Sequence, residues 1–112
     1  MTPRSAWLAL SLTLALFAPG FSQAADAVRG GKLAYTCHGC HGIPDYRNAY
    51  PIYHVSKLGG QHTAYMVAAL KEYKSGNRGH PSMKAIAASL SDADMADIAA
   101  YYAQTPLQTA AK

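Results

Sequence analysis

The sequence predicts an all-α domain, and three observations carry that prediction. No stretch alternates apolar and polar residues convincingly enough to read as a strand. From Gln61 or His62 to Lys74 the pattern is helical, with Tyr65, Ala69 and Tyr73 at i, i+4 and i+8 and Met66 and Leu70 beside them. Ser91-Asp92-Ala93-Asp94 is a capping box opening a further helical run.

In chain order, residues 1–24 read as a secretory signal that is cleaved. Arg4 supplies the positive start, Ala6–Ala18 the apolar run, Pro19-Gly20 a break and Ser22-Gln23-Ala24 a small-x-small cleavage site. The run falls short of the roughly 20 apolar residues that span a bilayer, so no membrane span is expected in the mature chain. With no cysteine near the cleavage point, a lipid-anchored form is not expected. Residues 25–112 then form one domain. Asp26–Thr36 is a short amphipathic helix. Ile43–Gly60, rich in Tyr, Pro and Gly, has no sustained period and reads as a loop. The helix ending at Lys74 stops at Ser75-Gly76, where Gly76 suits a left-handed cap. Asn77–Ser82, broken by Gly79 and Pro81, is a second loop, and Met83–Leu90 a short Ala-rich helix. The last helix runs from the capping box to about Gln104, with Ile98 and Tyr101 on one face and Pro106 closing it.

Composition narrows the function. Trp7, Phe17 and Phe21 leave with the leader, so the aromatics of the mature chain are its eight tyrosines. Its positive charge is mild and not gathered into a stripe, so no nucleic-acid binding is expected. A core this small needs a staple besides its side chains.

Cys37 and Cys40, the two cysteines, lie in Cys37-His38-Gly39-Cys40-His41. A disulfide across two residues closes a very small loop and would constrain the unfolded chain little. It would be a redox pair of the kind set between a strand and a helix, and no strand is expected here. A structural zinc would need two more ligands, which His54, His62 or His80 would supply only by coincidence. Cys-x-x-Cys-His is the attachment signature of a c-type haem: one covalent haem, with Cys37 and Cys40 as thioethers and His41 as the proximal iron ligand.

The sixth iron position decides the function. Met66 and Met95 sit within helices at core-like spacing. Met83 follows Arg78-Gly79-His80-Pro81-Ser82, a segment expected to be non-helical through Pro81 and so able to approach the far face of the haem. Met83 is therefore the candidate distal ligand, and His80 the competing one.

With these residues assembled, the chain resembles a class I c-type cytochrome of the small one-haem bacterial kind, and is similar also to single domains of two-haem periplasmic cytochromes. The resemblance rests on Cys37-His38-Gly39-Cys40-His41-Gly42, Lys57-Leu58-Gly59-Gly60-Gln61 with Tyr65, and Tyr73-Lys74-Ser75-Gly76-Asn77-Arg78. Met83 and the run from Leu90-Ser91-Asp92 to Ala100-Tyr101-Tyr102 extend it over nearly all the mature chain. It implies a cytochrome c fold, three to five short helices around the haem, and a His41/Met83 iron. It also implies that the first and last helices cross, Gly30 and Leu33 meeting Ile98 and Tyr101. Ser56 departs from the pattern: the family usually has proline there, whose carbonyl accepts the proximal histidine's ring N–H. Serine keeps the carbonyl, so the bond that orients His41 is expected to survive.

The resemblance implies an electron-transfer protein and not an enzyme, located in the periplasm. It would pass single electrons between a donor dehydrogenase or complex and a terminal oxidase or reductase. The alternative is a permanent cytochrome subunit of one dehydrogenase complex, so the chain is expected as a monomer or as such a subunit. Lys57, Lys71, Lys74, Arg78 and Lys84 would form a weakly basic rim for a redox partner with an acidic docking surface. Tyr46, Tyr50 and Tyr53 either line the haem crevice or sit half-exposed in their loop.

Overall fold

The computed structural model describes residues 23–49, 52 and 54–107. The cleaved leader expected at residues 1–24 lies almost entirely outside the described residues, as do Tyr50 and Tyr53.

The described residues are helical, with one isolated antiparallel bridge between Arg47 and His54 in the long loop. Helix α1 spans Ala27–Leu33. Asp26 caps it, its carboxylate accepting from the backbone N–H groups of Val28 (2.9 Å) and Arg29 (3.0 Å). The chain then tightens into a 3₁₀ turn, Ala34–Cys37, and a single α-turn, α2, His38–His41. The helix expected over Asp26–Thr36 thus ends its α-form at Leu33 and carries on in tighter winding into the cysteine motif. Helix α3 is Thr63–Ser75, and Gly76 closes it at φ +87°, as expected of a left-handed cap.

Helix α4 is Pro81–Ala88 and begins two residues earlier than the sequence suggested. Pro81 does not break it: at the first helical position its missing N–H removes no helical bond and its fixed φ suits the helix. Met83 therefore sits inside the first turn of α4, not after a loop. Helix α5, Asp92–Gln104, opens on Ser91 with both halves of the capping box formed.

Helices α1 and α5 make the principal contact, and α3 packs on both α4 and α5. At the crossing a Cβ on Gly30 would lie 1.9 Å from the backbone oxygen of Asp97, so the two helix backbones touch where only hydrogen fits. Tyr101 meets Gly31 at the same crossing, one position along from the Gly30 contact expected. The core cluster is Ala34, Met66, Ile98, Ala99 and Tyr102, with Leu33, Leu58 and Leu90 packed against it. Met95 is fully buried, which is worth about 1.5–3 kcal/mol for a side chain of its size.

An ionic cluster pins the crossing. Asp97 of α5, 7 % exposed, accepts from the Asp26 backbone N–H at 2.7 Å and pairs with Arg29, which also reaches Asp94. The Ser91 backbone N–H (2.9 Å), the Ser91 hydroxyl (2.7 Å) and Arg29 together hold the Asp94 carboxyl down to about 2. A depressed acid stabilises the fold above its unfolded pKa and loses that contribution as pH falls through the folded one. Stability is therefore expected to fall between about pH 4 and pH 2 through this group. Denaturant midpoints at about pH 6 and about pH 2.5 should show a shallower decline for Asp94→Asn than for the parent. Identical slopes would remove Asp94 from the acid response.

Candidate functional site

A cavity of ≈ 830 Å³ opens between the cysteine motif, the long loop, α3 and α4. Cys37, Cys40 and His41 line it from the motif, Met83 from α4, and Leu58, Met66, Leu70, Ile86, Leu90 and Ile98 supply apolar wall. The fold thus brings the four residues singled out in the sequence to one space.

The local winding accounts for the motif's side. The chain stays helical through residues 34–41, which groups Cys37, Cys40 and His41 toward the cavity. Cys37 is half-buried, Cys40 is exposed, and the two are not bonded to each other. Burial pushes the Cys37 thiol up, against smaller opposing effects from Thr36 and Tyr102. Tyr102 of α5 lies beneath the motif. Its hydroxyl is buried without a well-aligned hydrogen-bond partner, and burial pushes its pKa up too, with Cys37 adding to the effect.

His41 Nδ1–H donates to the Ser56 carbonyl at 2.6 Å. Ser56 therefore supplies the orienting bond, as expected. That bond fixes the tautomer and leaves Nε2 as the ring's lone-pair nitrogen. Burial pushes the imidazole pKa down, which favours this neutral, ligand-competent form, while the Ser56 bond opposes the shift. Ser56→Pro should keep the bond and raise stability by about 0.4–1 kcal/mol by restricting the unfolded chain. A denaturant midpoint below the parent's would contradict this.

The other methionines are placed differently. Met95 is fully buried away from the cavity lining, and Met66, 6 % exposed, belongs to the core cluster while also reaching the cavity wall. His80, the competing ligand, lines the cavity, but both its ring nitrogens have neighbours. The Met83 backbone N–H donates to Nδ1 at 3.3 Å, and the Asn48 amide lies 3.3 Å from Nε2. Among the described residues no group of three or more His, Cys, Asp or Glu side chains is placed to hold a metal ion.

The basic residues are largely engaged within the fold. Lys71 pairs with Asp92 at 2.9 Å, Lys74 donates to the Leu90 carbonyl, and Lys57 lies 3.6 Å from Asp45. Arg78 stacks over Tyr73, 4.8 Å from the ring centroid, and reaches the Tyr65 hydroxyl. Lys57 and Arg78 also line the cavity. Tyr46 is exposed and does not line it; its carbonyl instead accepts from the Val55 N–H at 2.9 Å.

The cavity fits a c-type haem. Its volume lies toward the upper end of the roughly 300–1,000 Å³ of small-molecule sites. Its walls are mostly apolar, two thiols stand two residues apart, and an imidazole is fixed through Nδ1 beside them. Asn48, Arg29 and Asp97 carry no signal in the sequence, and Tyr102 stands there only as the end of the last matching stretch, with no role attached.

Comparison with known proteins agrees. The Cytochrome c family profile matches residues 27–106. Cytochrome c-554(548) of Halomonas halodenitrificans is 43 % identical over 82 residues, covering 70 % of this chain and 95 % of that protein. Cytochrome c4 of Pseudomonas aeruginosa is 39 % identical over 97 residues, covering 86 % of this chain and 47 % of that protein. The crystal structure of reduced recombinant cytochrome c4 from Pseudomonas stutzeri superimposes with a TM-score of 0.57 at 30 % identity, over 70 % of this chain and 47 % of that one. The chain thus spans about half the length of the cytochrome c4 relatives it matches. From the haem-attachment motif, the cavity, the helical fold and these likenesses together, the chain belongs to the cytochrome c family, with Cys37 and Cys40 in its covalent haem c motif.

Proposed function

We propose that this chain is a periplasmic one-electron carrier, exported through a leader ending at Ala24, with its domain over residues 25–112. Cys37 and Cys40 would hold one haem by thioethers, and His41 and Met83 would ligate its iron from the two sides of the cavity. The observation that carries the reading is the meeting of Met83 with Cys37, Cys40 and His41 around one apolar cavity. When bound, the haem supplies an Fe(III)/Fe(II) couple, and a thioether ligand favours the reduced form. The chain's own residues do the rest. Ser56 holds the His41 ring in one tautomer. The apolar wall from α3, α4 and α5 keeps water away. Met83, as an iron ligand, would keep small molecules from the iron and so suit the site to electron transfer. Lys57 and Arg78, the cations beside the cavity, favour a redox partner with an acidic surface.

Visible spectra of the exported, haem-loaded protein test this reading. Haem that stays with the denatured chain, and a reduced spectrum unmoved by carbon monoxide, are expected. A carbon monoxide shift would remove Met83 as a firm ligand, and the absence of covalent haem would overturn the site. N-terminal sequencing of the exported protein should begin at Ala25; a start at Met1 would refute the leader.

One observation favours the second reading, a permanent subunit of a dehydrogenase complex. Ile43 and Ile52, both in the long loop, are 47 % and 71 % exposed, apolar side chains that a lasting interface would cover. Elution of the native protein at the size of a single short chain would rule that reading out. Among the described residues no helix is long and apolar enough to cross a membrane.

A further inference from the structure

His80 fills the N-cap of α4, a position where serine, threonine, aspartate and asparagine are preferred. Its Nδ1 accepts from the backbone N–H of Met83 at 3.3 Å, so the cap holds the very residue proposed as distal ligand. A small polar cap would satisfy that N–H equally well. What histidine adds is a second nitrogen, projected beyond the cap.

That nitrogen, Nε2, lies 3.3 Å from the terminal amide of Asn48, a residue 32 positions away in the long loop. A neutral imidazole has one acceptor nitrogen, and the Met83 amide occupies it. Nε2 therefore carries the proton and donates to the amide oxygen of Asn48, whose oxygen and nitrogen exchange places by a flip of the group. The Tyr73 ring of α3 meets the imidazole edge-on, centroids 6.3 Å apart, and limits its rotation. Both His80 and Asn48 line the cavity. The loop that carries Asn48 also carries Ser56, whose carbonyl orients His41. One side chain thus ties the segment bearing the distal ligand to the segment that sets the proximal one.

We propose that His80 is a positioning residue for Met83, and that His80 and Asn48 form a latch across the haem cavity which keeps the Met83 segment closed. This rests on Met83 being the distal ligand. The latch acts by lowering the fraction of molecules in which the first turn of α4 frays and Met83 leaves the iron. A helix cap is worth about 0.5–2 kcal/mol, so its loss should raise that fraction roughly 2- to 30-fold.

Carbon monoxide binding to the reduced, haem-loaded full chain reads that fraction directly. The set is the parent, His80→Ala, His80→Asn and Asn48→Ala, each with its denaturant midpoint. The parent should bind carbon monoxide only very slowly. His80→Ala should bind it roughly 2- to 30-fold faster. His80→Asn, which restores a preferred cap, should recover part of the exclusion, and Asn48→Ala should raise the rate with the cap intact. His80→Ala binding no faster than the parent overturns the proposal, whether or not its midpoint falls, because a cap serving only stability would lower the midpoint alone. An Asn48→Ala rate equal to the parent's overturns the latch. A parent that binds carbon monoxide freely instead brings down the Met83 ligation beneath the proposal, a result distinguishable from either of these.

Discussion

Gly30→Ala should destabilise the protein by about 3 kcal/mol or more, at the upper end of what overpacking costs. Helix propensity alone predicts the opposite sign, since alanine improves on glycine in a helix interior by roughly 1 kcal/mol. The added methyl carbon would sit 1.9 Å from the Asp97 backbone oxygen, and a backbone atom cannot swing aside as a side chain can. Helices α1 and α5 must separate, and the bond from the Asp26 N–H to Asp97 and the Arg29 pairs stretch with them. Against a total stability of about 5–15 kcal/mol, the loss is large enough to lower the yield of haem-loaded protein. Gly31→Ala is the control: its methyl would lie 3.1 Å from the Tyr101 ring, a side chain able to shift, so the effect should be much smaller. Denaturant midpoints of the two variants decide the matter. Equal midpoints, or a Gly30→Ala more stable than the parent, would show that the helices do not cross there.

Met83→Ala is expected to convert a closed haem site into an open one. The reduced variant should bind carbon monoxide where the parent does not, and its reduction potential should fall, since axial ligand identity moves haem potentials over about 0.8 V. The fold should persist, because Met83 is half-buried at the start of α4 and outside the core cluster. Met66→Leu and Met95→Leu, near-isosteric changes costing less than about 1.5 kcal/mol, should leave both readouts at parental values. A carbon monoxide response from Met66→Leu with none from Met83→Ala would transfer the distal role to Met66, which also reaches the cavity.

Much of the candidate site was legible because its chemistry is local. Cys37, Cys40 and His41 lie within five consecutive residues, and the helical winding that turns them toward one cavity needs no distant partner. The same holds for Gly76 closing α3 and Ser91 opening α5: a cap is a contract between residues three or four positions apart, and both formed as expected. Pro81 misled because its rule has two sides. It breaks a helix interior but suits a first turn, and which applies depends on where the preceding residue can cap. His80 does cap, so α4 starts early and carries Met83 within it.

Periods and spacings short enough to read along the chain thus carried the helical class, the caps at Gly76 and Ser91, the candidate haem-attachment residues and the methionine to test against the rest. What joins residues far apart came from packing. It set the backbone contact of Gly30 with Asp97, the burial of Asp97 beside Arg29, the buried Tyr102 hydroxyl beneath Cys37, and the reach of His80 to Asn48. These depend on how helices cross and where a loop without period comes to rest. Packing fixes both through contacts summed over the whole core, and no local pattern of residues encodes that sum.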